Sequence, residues 1–96
     1  MTREPRFVIE DELHAEWIAE CSTMAEVVGV LERLAAAPWD APPNRAPCTS
    51  WETCGREYVV LEFDAADEAR PARRRLPALE VTAAGATWDP EFDKVR

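Results

Sequence analysis

Cys48 and Cys54 stand with five residues between them in the run Pro47-Cys48-Thr49-Ser50-Trp51-Glu52-Thr53-Cys54-Gly55. Their side chains can meet if the chain turns back on itself there. Two thiols that meet support redox exchange or metal ligation, whereas two thiols that merely pack act as small apolar residues tucking a loop onto a core. Packing is the reading the residues favour. Zinc sites usually present pairs of ligands two to four residues apart and use four of them. Only Cys21 and His14 remain to complete such a set, and strand parity points those two to opposite faces. No metal, no cofactor and no catalytic residue is therefore assigned.

His14 is the sole histidine, so any general base near neutral pH must use it. With Glu12, Glu16 and Glu20 it makes a polar row spaced about 7 Å along one strand face, as a solvated face also would. Arg70, Arg73, Arg74 and Arg75 are the basic cluster of an acidic chain. Arginine forks match planar anions, but a solvated loop that offsets the acidic half explains the cluster more simply. Of the four tryptophans, Trp17 has core-face parity and Trp88 closes the final strand, so both read as structural. Trp39 and Trp51 belong to an aperiodic segment, where a rigid aromatic either anchors the loop or contacts a partner. The chain contains no glycine-rich phosphate loop, no Gly-x-Ser-x-Gly elbow and no metalloprotease helix signature.

The elements that must position these residues follow from periodicity. Residues 6–10 read as a first strand and the acidic trio Glu10, Asp11, Glu12 as the turn after it. From 13 to 21 the odd positions are apolar and most even ones polar, with Ile18 the exception, which predicts a second strand paired with the first in a hairpin. Thr23 and Glu26 form a capping box, and Met24, Val27, Val28, Leu31, Leu34 and Ala35 make one helical stripe, so 24–37 is predicted to be a helix that Pro38 ends. Residues 38–55 have no period, four prolines and two tryptophans. A flexible linker would be rich in glycine and serine, so an ordered, working loop is expected here.

Strand character returns at 57–64, where Val59, Leu61 and Phe63 alternate with Tyr58, Val60 and Glu62. It returns again at 78–83, before a turn or bulge at Gly85. Residues 65–76, with Pro71 and the arginines, read as an exposed connection, and 1–5 and 89–96 as loose tails. The sum is one domain over 1–96. Its class is α+β, a two-layer arrangement of a four-stranded, mostly antiparallel sheet with one helix on one face, in the order β-β-α-β-β.

Ninety-six residues with 47% hydrophobic and 31% charged side chains have the balance of a folded chain. A net charge of −8 repels phosphate backbones and anionic lipid, so neither nucleic acid nor membrane is expected as a partner. The amino terminus lacks a secretory signal and the cysteine count is odd, which predicts a cytoplasmic chain. The leading reading is a small binding or protein-interaction module acting through 38–55 and the adjacent open sheet face. Its contact residues are Trp39, Trp51, Cys48, Cys54 and Tyr58. Val8, Ile18, Tyr58 and Val60 would make that open face partly apolar, which predicts a protein partner or a homodimer. The alternative is a thiol-dependent enzyme or redox protein using Cys48 and Cys54, assisted by His14 or a glutamate.

Overall fold

A computed structural model describes residues 6–63 and 74–96 of the chain. Aromatic and β-branched residues between charged ends give β1 (Arg6–Asp11), and the period-two segment after the turn gives β2 (Glu16–Cys21). They are followed by α1 (Met24–Ala36), β3 (Arg56–Phe63), β4 (Arg74–Thr82), β5 (Gly85–Trp88) and the single turn α2 (Pro90–Asp93). The strands form one antiparallel sheet in the order β2-β1-β3-β4-β5. This is the α+β class expected, with a fifth strand. Gly85 has φ 119° and opens that strand across a tight hairpin from Thr82, so the glycine made a turn legible but not the strand behind it.

The Thr23 hydroxyl accepts the Glu26 amide at 3.1 Å, closing the start of α1. Thr23→Ala should lower stability by about 1 kcal/mol in urea denaturation. Val27, Leu31 and Leu34 bury the helix stripe against Phe7, Ile9, Tyr58, Val60, Leu79 and Val81. The 89–96 segment, expected to be loose, carries α2. Asp89 caps it, and Phe92, 2% exposed, joins the same core beside Trp88.

Two parity expectations need correction. A bulge shifts the β1–β2 register between Ile9 and Glu10, so that Ile9 faces Ala19 but Glu10 faces Trp17. The extra residue is Ile18, which packs on the core, while Trp17 swings to the far face, 54% exposed against Phe63. In β3 both alternating sets are apolar, and Tyr58 and Val60 are the ones under α1. They therefore do not belong to an open face. Arg74 and Arg75 lie in β4 and pair with Glu62 of β3 and Glu12 of the β1–β2 turn, whereas Arg70 and Arg73 fall outside the described residues.

Candidate functional site

The 38–55 segment contains no strand or helix, so its backbone polar groups need partners from elsewhere. Two side chains supply them. Buried Asn44 donates its amide to the carbonyls of Leu34, Ala37 and Pro38 at 2.8 to 3.3 Å, closing the C-terminus of α1. Its Oδ1 accepts the Tyr58 hydroxyl at 2.7 Å. Burial pushes the Tyr58 phenol up to about 12, so it stays a donor. Arg56, 3% exposed, donates to the carbonyls of Asn44, Pro43 and Arg45 and turns its remaining nitrogen to Asp11 at 2.8 Å and Glu16 at 3.1 Å. One guanidinium thus binds the loop to the β1–β2 turn.

That turn is built around Asp11. Its carboxylate is fully buried and accepts the amides of Leu13 and Glu57, both at 3.1 Å, besides Arg56. Ala15 takes the left-handed conformation, φ 53°, which brings the chain round between His14 and Glu16. His14 therefore lies in the turn and not on a strand face, and its Nδ1 meets Asp11 Oδ2 at 2.6 Å. Burial works to raise the Asp11 carboxyl, but Arg56 and then His14 outweigh it and hold it below the ordinary value. Burial likewise works to lower His14, and Asp11 and then Cys48 outweigh it and raise the imidazole above 6.5.

The thiols come to this imidazole from the other side. The amides of Thr53 and Cys54 both donate to the Ser50 carbonyl, at 2.9 and 3.1 Å, folding the chain back over five residues. The two sulfurs end 2.8 Å apart, with the Ser50 hydroxyl 3.6 and 3.5 Å from them. A ring nitrogen of His14 and both sulfurs lie within 4.8 Å of one another. Gly55 makes the exit possible, because a Cβ there would stand 2.7 Å from the Val81 carbonyl oxygen. Hydrogen bonds from Cys54 and then Ser50, with a further contribution from His14, lower the Cys48 thiol to about 7. Cys21 is the opposite case, buried in the core with its thiol pushed up.

The sequence singled out Cys48, Cys54 and His14, and the fold brings all three together. It leaves Tyr58, 1% exposed, beneath the loop as a support for Asn44, so this residue is not a surface contact. Trp39 and Trp51 are half-buried on the loop, their rings 6.0 Å apart and Arg45 stacked over Trp51 at 3.9 Å. Asp11, Arg56, Asn44 and Ser50 were not singled out. The signal that could have found Asp11 is its place three residues before His14 in a hairpin turn. Surface concavities of about 290 and 460 Å³ lie beside Trp88 and beside Phe92, and neither is lined by a thiol or by His14. Among the described residues no helix is long and apolar enough to cross a membrane. Comparison with family models, curated proteins and solved structures finds no match.

The shifts fix a pH dependence for the metal-free protein. Asp11 is lowered, so its contribution is present above 3.8 and is lost as the pH falls from there through the folded value. His14 is raised, so its contribution is present below 6.5 and is lost as the pH rises through a folded value above 6.5. The urea midpoint should therefore fall on the acid side. His14→Asn should leave that fall in place while removing the loss on the neutral side. A midpoint independent of pH below 3.8 would take the Asp11 contacts out of the account.

Proposed function

We propose that this chain is a thiol–disulfide exchange module whose working surface is the 38–55 loop, with Cys48 as the attacking sulfur and Cys54 as the resolving one. The reading is carried by the 2.8 Å approach of two sulfurs beside an imidazole that a buried carboxylate orients. Cys48 passes its proton to His14, and its thiolate attacks one sulfur of a partner disulfide. The new bond forms as the partner S–S bond breaks, and the first leaving thiolate takes the proton from His14. The neutral imidazole then accepts the Cys54 proton. Cys54 attacks the Cys48 sulfur, breaking the mixed disulfide, and the second leaving thiolate is protonated in turn. Two electrons and two protons have moved from the dithiol to the partner, leaving a Cys48–Cys54 disulfide.

The partner is a disulfide on a protein or peptide. The thiols sit partly exposed on a loop and line neither concavity, and Trp39 and Trp51 offer rigid apolar contact beside them. The reading includes a cytoplasmic location, where such a bond is transient. A thiol at about 7 instead of 9.0 is roughly fifty times more ionised at pH 7, and its lower intrinsic nucleophilicity reduces the gain in rate to roughly five- to tenfold. Self-association through the sheet face opposite α1 is a second partner reading, favoured by exposed Trp17 on that face. Trp17→Ser should then lower the sedimenting mass, and a monomer at every concentration would remove this reading.

The test uses reduced full-length chain, chelator and oxidised glutathione, with acid trapping and intact mass. Wild type should accumulate a species lighter by two hydrogens, Cys54→Ser a glutathione adduct on Cys48, and Cys48→Ser far less of either. Equal adduct formation at Cys21 and Cys48, or a Cys48 alkylation rate with no inflection near pH 7, would refute the assignment.

A further inference from the structure

Dithiol exchange asks for a base near one sulfur, yet the His14 imidazole stands close to both, with its other side fixed from beneath. We propose that His14, Cys48 and Cys54 are three ligands of a thiophilic divalent cation, zinc by the chemistry of the set, with the fourth position open to water or to an incoming group. One imidazole nitrogen and two sulfurs are the donors this borderline-soft ion takes, and three protein ligands with an open position mark its reactive sites more than its structural ones. Because Nδ1 is engaged by Asp11, Nε2 is the nitrogen left for the metal.

The support behind His14 belongs to the same argument. Histidines that bind metal almost always give their second nitrogen to a carboxylate or carbonyl, which fixes the ring and raises its basicity. Here the carboxylate is fully buried and is itself held by Arg56, by the Leu13 amide and by the Glu57 amide, so the ring direction is set by four residues outside the ligand set. Tetrahedral bonds of about 2.3 Å place two sulfurs roughly 3.7 Å apart. The pair at 2.8 Å must open by about an ångström, on a partly exposed loop and with the third donor already within 4.8 Å. The five-residue spacing that counts against zinc in the sequence is answered by the turn at Ser50, which folds the sulfurs together. Two thiolates and a neutral imidazole balance the ion's charge, and the Ser50 hydroxyl stands within reach of both sulfurs.

The inference does not rest on the exchange reading. Both use the same sulfurs, and a disulfide and a bound cation exclude one another. Reduced chain is titrated with Co²⁺ and then with Zn²⁺ in competition with a chromophoric chelator. The expected result is one ion per chain, sulfur-to-cobalt charge transfer in the near ultraviolet, the intense visible bands of a tetrahedral site, and displacement by Zn²⁺. Cys48→Ser and Cys54→Ser should each lose the charge-transfer intensity of one sulfur and bind at least a hundredfold more weakly. His14→Asn should weaken binding as much while keeping the charge transfer of both sulfurs, and His14→Cys should restore tight binding with a third sulfur. A cobalt spectrum without thiolate bands, or zinc affinity unchanged in all three single-ligand variants, would overturn the site. Because exchange is assayed with chelator present, its success beside a failed titration would leave the redox reading standing alone.

Discussion

Arg56→Met is expected to destabilise the protein by about 3 to 5 kcal/mol, the cost of removing one partner from a buried ion pair. Asp11 would remain fully buried without its guanidinium, held only by His14 and two backbone amides, and the carbonyls of Pro43, Asn44 and Arg45 would lose their donor together. Small domains have total stabilities of about 5 to 15 kcal/mol, so this one change removes a large share. Arg56→Lys should recover only part of the loss, because an ammonium on a flexible stem cannot serve five acceptors spread around a planar fork. Urea midpoints of the two variants and the parent settle the matter. A loss under about 1 kcal/mol for Arg56→Met, the scale of an exposed pair, would mean that the clamp is open to water.

Asn44→Ala should cost about 2 to 4 kcal/mol through a different route. The change strands the buried Tyr58 hydroxyl, at a cost of about 1 to 3 kcal/mol, and takes one donor from the carbonyls of Leu34, Ala37 and Pro38 together, leaving Leu34 only a share of the Ala37 amide. Tyr58→Phe removes the hydroxyl as well as its need, so the double variant should be less destabilised than the two single changes summed. Amide exchange locates the damage. Faster exchange through 38–55 with β1 and β3 still protected is expected, whereas uniform acceleration along the chain would make Asn44 an ordinary core residue.

These two residues show where the sequence was mute. Period and capping chemistry made α1, β1 and the existence of β2, β3 and β4 legible, because apolar stripes need no long-range information. The bulge at Ile18 was visible as an exception in an alternating row, but only the β1 register reveals that it turns Trp17 outward. Tyr58 and Val60 were placed on the wrong face because β3 is apolar on both sides, so alternation carried no sign. The thiol pair was legible as a spacing. Its imidazole was discounted because the second strand was read as starting at Leu13, when a left-handed Ala15 ends a turn there. Asp11 and Arg56 could not be seen as partners, since their contact joins positions 45 residues apart.

Arg56 meets the loop only through main-chain oxygens, and the Asn44 amide meets the helix end in the same way. Such recognition counts peptide units and ignores what hangs from them. Substituting Arg45, whose side chain is exposed, leaves its oxygen in place, whereas deleting a single residue between 41 and 46 moves these oxygens out of reach. Away from buried Asn44 and Ala46, this stretch should therefore tolerate exchange of its exposed letters and almost no change of length. A library randomised at position 45 would stay folded where a one-residue deletion would not.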